Sequence, residues 1–133
     1  MKWFHLIFGF VLFAAFTITG QYMRADFPDK DMISPELRVL MRSRHIYIFF
    51  SALIHIIMGV YLSMRPRRWQ RLLQYSGSAM LTVSSSLLLW AFIVESYELH
   101  SYSDLSRYGI FASLVGIGLH IFGGLGKGQG NAD

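Results

Sequence analysis

The sequence predicts an all-α fold, a four-helix transmembrane bundle in which successive helices cross the membrane up-down-up-down. The chain of 133 residues is 53% hydrophobic and only 15% charged, which is too apolar for an ordinary soluble domain. Its apolar residues fall into four segments, each close to the ~20 residues with which a helix crosses a ~30 Å hydrocarbon core. No alternation of the kind seen in membrane β-strands competes with this prediction.

We expect one domain over residues 1–133. Its helices are predicted at about residues 3–19, 35–64, 76–94 and 107–124. The first apolar segment also resembles a signal peptide, but the "TITGQ" that follows lacks a small-x-small cleavage pattern, so we predict a retained helix. The second helix begins ahead of its membrane part, residues 45–63, because Ser34 is a good N-cap and Pro35 suits the first helical position.

Composition excludes several kinds of site. The chain has no cysteine, so a disulfide, a thiolate metal ligand, a cysteine nucleophile, a cysteine-held iron–sulfur cluster and covalently attached haem are ruled out. The net charge is only +4, and the basic residues lie between apolar runs and form no basic face. We therefore expect no nucleic-acid partner.

The loop "RPRRWQR", residues 65–71, carries four arginines and no acidic residue. Such a short basic loop is typical of the cytoplasmic side of a membrane protein. With these four arginines included, each side of the membrane carries six basic residues, but the six on the opposite side are interleaved with acidic residues. We predict a multi-pass protein of the bacterial inner membrane with both termini in the cytoplasm and with lipid as its immediate surroundings.

Three of the five histidines, His5, His55 and His120, lie inside apolar runs, where an imidazole is costly and is usually present for a reason. Each stands in a stripe of small residues spaced four apart, which share one helical face. The stripes are His5–Gly9, Ser51–His55–Gly59, and Ala112–Gly116–His120–Gly124. Such a groove admits either a neighbouring helix backbone or a flat, bulky group beside the histidine.

A bis-histidine b-type haem would use this arrangement, since imidazoles bind the iron and small residues leave room for the ring. At ~1.5 Å per residue, His55 and His120 differ in depth by only about one helical turn. We therefore predict haem b with His55 and His120 as axial ligands, His5 as substitute, and Gly59, Gly116 and Gly124 beside the ring. His45 is roughly 15 Å from His55 along one helix, so these two histidines cannot share one iron.

Two other interpretations of the histidines stay open. The small-residue stripes also suit plain helix packing, and the imidazoles also suit a catalytic or proton-carrying role. The hydroxyls of "TVSSS", residues 82–86, suit either a polar cavity or bonding back to their own helix. Arg42, Arg44 and His45 would face haem propionates, a quinone head group, Glu36 or lipid phosphates. Glu95 could carry protons, but we expect it to be solvated at the interface.

The stretch "KWFHLIFGFVLFAAF", in which a basic residue and His5 open the first helix, together with His55 and His120 in later helices, resembles small bacterial four-helix membrane haem proteins. These include bis-histidine b-type cytochromes and the membrane protoporphyrinogen oxidase family. The resemblance implies haem binding near His5.

From these observations we predict a membrane b-haem protein for electron transfer, working with a quinone or a larger redox complex. The alternative is a cofactor-free structural accessory subunit of a larger membrane assembly. In either case we expect other membrane subunits, or further copies of the chain, as partners.

Overall fold

The computed structural model describes residues 1–26, 33–95 and 104–125, and four long helices account for nearly all of them. They are α1 (Lys2–Asp26), α2 (Pro35–Tyr61), α3 (Arg68–Glu95) and α4 (Asp104–Gly124). No strand occurs within these described ranges. Each helix is long and apolar enough to cross a membrane. The prediction of an all-α fold with four such helices is confirmed.

Three of the four described helices, α1, α3 and α4, extend beyond the apolar segments that predict them. α1 continues to Asp26 and α3 begins at Arg68, because polar turns keep their backbone hydrogen bonds after the chain leaves the hydrocarbon core. α2 ends at Tyr61, a few residues before the predicted end at residue 64. Pro66 follows closely, and a proline disfavours the helical conformation of the residue before it.

The starts of α2 and α4 are capped in different ways. The amide of Leu37 donates to the Ser34 hydroxyl at 3.3 Å, which confirms the predicted N-cap. At α4 the amide of Leu105 donates to a carboxylate oxygen of Glu95 at 2.8 Å. The end of α3 therefore supplies a capping acceptor for the start of α4.

The bundle consists of two tightly packed helix pairs, which we call the hairpins: α1 with α2, and α3 with α4. Contacts within each pair run in opposite residue order. Thr19 of α1 meets His45 of α2, whereas His5 meets His55. Neighbouring helices are therefore antiparallel, and the two hairpins contact each other mainly through α2 and α3.

Glycines allow the close approach of helices within each hairpin. A Cβ atom added to Gly59 would lie 2.7 Å from the backbone nitrogen of Leu6 in α1, and one added to Gly116 would lie 3.0 Å from the carbonyl oxygen of Gly77 in α3. Real Cβ atoms essentially never show the distance at Gly59, and the distance at Gly116 is tighter than nine in ten real Cβ contacts. At Gly59 and Gly116, the small residues admit a neighbouring helix.

The surface is apolar and the interior carries much of the polar chemistry. Large hydrophobic side chains face outward along every helix, among them Trp3, Ile57, Val83 and Leu114. Histidine, serine, glutamine and one arginine–glutamate pair lie in the buried interior. This distribution suits a lipid environment, in which polar groups must be satisfied inside the bundle.

Candidate functional site: a buried histidine–serine cluster

Three histidines from three different helices meet in the interior between the hairpins. The Nδ1 atoms of His5 and His55 lie 2.8 Å apart. His5 Nε2 lies 2.8 Å from the Ser78 hydroxyl, and the same hydroxyl lies 3.1 Å from His120 Nε2. His55 Nε2 lies 3.1 Å from the Ser85 hydroxyl. We call these five residues the histidine cluster.

Each helix contributes the residues of one buried face. In α3, Ser78 and Ser85 lie seven residues apart, about two turns, and both are buried. In α2, His55 lies one turn before Gly59. The close approach of α1 at Gly59 holds Leu6, and with it His5, against α2. The cluster therefore depends on the close packing of the first hairpin.

The hydrogen positions in the neutral cluster follow from Ser85. Its hydroxyl has one hydrogen, which it donates to the carbonyl of Leu81 at 2.8 Å. The contact with His55 must then be a donation from His55 Nε2–H to the Ser85 oxygen. A neutral imidazole carries only one N–H, so Nδ1 of His55 is a bare acceptor.

The same reasoning fixes the rest of the chain. His5 must donate its Nδ1–H to His55, which leaves His5 Nε2 as an acceptor for the Ser78 hydroxyl. Ser78 then accepts from His120 Nε2–H, and His120 Nδ1 is left as a bare acceptor. His120 Nδ1 is buried and has no hydrogen-bond partner in the described part of the chain. The assignment therefore leaves a bare acceptor at His120 Nδ1, which is also the atom for which the described residues supply no donor.

All donors in the cluster consequently point in one direction, from His120 through Ser78, His5, His55 and Ser85. Each imidazole accepts on one nitrogen and donates from the other, which is the arrangement that can pass a proton along a hydrogen-bonded chain. A proton that arrives at His120 Nδ1 can move inward by successive transfers to His55. There it would rest between His5 and Ser85.

The structure brings the three predicted histidines together, and Gly124 lines one groove with His120. Gly59 and Gly116 contact backbone atoms of α1 and α3, and no atom that an added Cβ could meet lies within 4 Å of Gly124. Within the described residues, no group of three or more histidine, aspartate or glutamate side chains has an arrangement that could hold a metal ion.

Sequence reasoning missed Ser78 and the second role of Ser85. A polar stripe along one face of α3, formed by Gln70, Gln74, Ser78 and Ser85, is the signal that points to them. The prediction that hydroxyls of residues 82–86 bond back to their own helix is confirmed for Thr82, Ser85 and Ser86. Ser84 instead donates to the carbonyl of Gly109 in α4.

A second buried polar contact joins Arg44 and Glu95, two to three turns from the cluster. Arg44 Nε lies 3.5 Å from a carboxylate oxygen of Glu95, and Arg44 also donates to the backbone carbonyl of Glu95. The carboxylate accepts from Ser106 in α4 as well. Glu95 is only 4% exposed, so the expectation of a solvated carboxylate is wrong. Through its contacts with Arg44 and Ser106, the buried Glu95 joins α3 to α2 and α4.

The predicted group of Arg42, Arg44 and His45 is divided between different environments. Arg42 is exposed and Arg44 is buried. His45 stacks on Phe16 with the ring centroids 4.2 Å apart, and its Nδ1 lies 3.1 Å from the Thr19 hydroxyl. His45 therefore packs within the first hairpin, away from the histidine cluster.

At the opposite end of the bundle, glutamine and arginine side chains fix the connection between the hairpins. Gln74 donates to the carbonyl of Ser63 at 2.9 Å and accepts from the amide of Arg65. The Arg65 guanidinium donates to the carbonyl of Gly124 at 2.8 Å, at the end of α4. One arginine of the basic loop is thus held by a helix C-terminus, where a cation is favourable.

The chain matches no protein-family model, no curated protein and no solved structure. Its function is therefore inferred from the histidine cluster itself.

Proposed function

We propose that this chain is a multi-pass membrane protein of the bacterial inner membrane that takes up a proton into the histidine cluster, between its two hairpins. The observation that carries the proposal is the one-directional chain of hydrogen bonds that ends at a buried acceptor without a partner, His120 Nδ1. In a purely structural histidine cluster, no end of the chain needs to be left open.

The membrane setting is supported by the apolar exterior and by four helices of sufficient length. Antiparallel contacts between consecutive helices support an up-down-up-down crossing. The arginine loop at residues 65–71 supports a cytoplasmic position for that loop and for both termini.

Histidine suits reversible proton uptake because its unperturbed charge change falls close to physiological pH. The cluster would accept one proton and resist a second, since two like charges a few ångströms apart repel each other strongly in a medium of low polarity. The three imidazoles should therefore titrate as one unit and not as three separate groups.

The experiment is a pH titration of the protein with ¹⁵N-labelled histidine, followed by NMR. Signals are assigned with single histidine-to-asparagine variants, and His45 serves as the internal control outside the cluster. We expect the signals of His5, His55 and His120 to change together as one proton binds. Three independent titrations, or no titration of any cluster histidine before the protein unfolds, would refute the proposal.

A second candidate function is electron transfer by haem b, and one observation favours it. The Nε2 atoms of His5 and His120 both approach the Ser78 hydroxyl, at 2.8 and 3.1 Å, so two imidazoles from different hairpins converge on one point. His5 with His120, or His55 with His120 as predicted, would be the axial ligands. Haem bound there would supply one-electron chemistry.

The positions of the imidazole nitrogen atoms suit haem, but the packing around the histidines suits it less well. Gly59 and Gly116, which were predicted to leave room for the ring, lie against the backbones of α1 and α3. His5 also occupies the space next to His55, with direct hydrogen-bond contact. The packing at Gly59 and Gly116 and the direct contact between His5 and His55 support haem binding less than they support proton uptake. Sharp bands of six-coordinate b haem in the dithionite-reduced protein would reverse that preference.

The alternative of a cofactor-free accessory subunit was based partly on small-residue stripes that would face other chains. Gly59 and Gly116 pack within this chain, whereas Gly118 and Gly124 have open space around them. Partner subunits, a homo-oligomer and a quinone stay predictions. Purification as a stable monomer would count against the accessory-subunit function.

A further inference from the structure

In the part of the chain that the structure describes, a surface groove is lined by His120 of the histidine cluster. It has a volume of about 260 Å³ and lies between the end of α2, the connection at Arg65 and helix α4. Met58 and Tyr61 line it from α2, Gln74 from α3 and His120 from α4. The groove is on the same side of the bundle as the basic loop at residues 65–71.

His120 belongs to both the groove and the cluster. Its Cδ2 and Nε2 atoms face Gly77 and Ser78 of α3. Nδ1 lies on the other edge of the imidazole ring, away from Ser78. The bare acceptor that ends the hydrogen-bonded chain is therefore the part of His120 that is turned away from the cluster.

An apolar layer lies on the opposite side of the cluster. A groove of about 310 Å³ on that side is lined by Ser51 and Leu88 but by no member of the cluster. Ile48 and Ala52 of α2 and Leu88 and Phe92 of α3 lie between the cluster and the Arg44–Glu95 pair, and each is at most 4% exposed. At the same level, the Ser84 hydroxyl donates a hydrogen bond to the carbonyl of Gly109. No polar chain of the described residues connects Ser85 with Glu95.

We propose that protons enter and leave the histidine cluster through the groove at His120 alone, from the side that carries residues 65–71. The inference rests on the proposed function. It adds the side from which the proton enters and names His120 as the first residue that accepts it. His120 lines the groove although its Nδ1 is buried, and it accepts the proton on Nδ1 and releases the proton on Nε2 to Ser78. The proton leaves by the reverse path, so the cluster is a one-sided site and not a channel.

Several charged or titratable groups surround this entry. Arg65 and Tyr61 lie in the groove with His120, and His5 and His55 lie behind it. The amino group of Met1 acts on His5 from the start of α1.

Access can be measured directly because the chain has no cysteine of its own. In Met58→Cys the thiol lies in the groove, and in the nearly isosteric Ser84→Cys it lies beyond the cluster in the apolar layer. A membrane-impermeant maleimide is applied separately to each face of vesicles. We expect Met58→Cys to react only from the side of residues 65–71, about tenfold or more faster than Ser84→Cys.

A second pair of variants tests whether the groove is the route of the proton. Met58→Trp should fill the groove, whereas Leu53→Trp adds the same bulk at an exposed position on α2. Hydrogen–deuterium exchange at the N–H groups of His5 and His55 is followed by NMR. We expect Met58→Trp to slow exchange by about tenfold or more, and Leu53→Trp to leave it unchanged.

The possible failures can be told apart. Labelling of Ser84→Cys from the far side, or normal exchange in Met58→Trp, would overturn the one-sided route even if the cluster titrates as one unit. A cluster that never titrates would overturn the proposed function instead, even if Met58→Cys is labelled as expected.

Discussion

Replacing Gly59 with alanine should disturb the histidine cluster from a position that touches none of its members. The new Cβ would lie 2.7 Å from the backbone nitrogen and 2.8 Å from the Cα atom of Leu6. Both are backbone atoms, so a change of side-chain rotamer cannot relieve the clash. Ordinary van der Waals contact of a Cβ begins at 3.4 Å, so α1 must retreat by about 0.7 Å at this point.

The retreat acts on His5, the residue before Leu6. Its Nδ1 is 2.8 Å from His55 Nδ1, and a displacement of this size would lengthen the contact to about 3.5 Å, the outer limit of a hydrogen bond. Overpacking of this kind typically costs about 1–3 kcal/mol. Alanine is intrinsically better than glycine in a helix by about 1 kcal/mol, which offsets part of that cost.

Gly118→Ala is the matched control, because a Cβ there meets nothing within 4 Å. The helix-propensity gain is the same in both variants, so the difference between them isolates the overpacking. In reversible unfolding in detergent, Gly59→Ala should be about 1–3 kcal/mol less stable than Gly118→Ala, and only Gly59→Ala should shift the ¹⁵N signal of His5. Equal stability and an unchanged His5 signal would refute the reasoning.

Two further predictions concern buried polar contacts and use the same unfolding assay. Ser85→Ala removes the acceptor of His55 Nε2–H and should cost about 1–3 kcal/mol. The exposed Ser86 hydroxyl donates only within its own helix, so Ser86→Ala should change stability by no more than about 0.5 kcal/mol. Equal effects of the two substitutions would contradict the donation from His55 to Ser85. Glu95→Ala leaves the buried Arg44 without its carboxylate and should cost about 3–5 kcal/mol, with a loss below about 1 kcal/mol counting against a buried pair.

The four helices could be predicted because lipid and helix geometry leave few alternatives for apolar segments of this length. The ends of the helices could not, since hydropathy marks the part of a helix that contacts hydrocarbon and says nothing about polar turns beyond it. α3 illustrates this: its first two turns carry Arg68, Gln70, Arg71 and Gln74 and are nevertheless helical.

The candidate site could be predicted only in part. Depth along the helices places His5, His55 and His120 within about one or two turns of each other. Rotation about each helix axis is harder to predict, because apolar residues in a membrane protein face both lipid and the interior. The small residues indicated the histidine faces, but sequence alone did not tell whether a ring or a helix fills the space at Gly59.

Polar residues were the better guide to the buried faces. Arg44 and His55 lie eleven residues apart, about three turns, and therefore share one face of α2. Glu95 ends the polar face of α3 that also carries Ser78. The partners across helices could not be read from the chain, since pairing depends on how the two hairpins dock.

The most direct test of the account is the tautomer of each cluster histidine at neutral pH, read from ¹⁵N chemical shifts in the labelled protein. The one-directional chain predicts a proton on Nδ1 of His5 and on Nε2 of both His55 and His120, with His120 Nδ1 bare. A spectrum in which His5 carries its proton on Nε2, or in which His120 carries its proton on Nδ1, would contradict the hydrogen-bonded chain on which the proposed proton uptake depends.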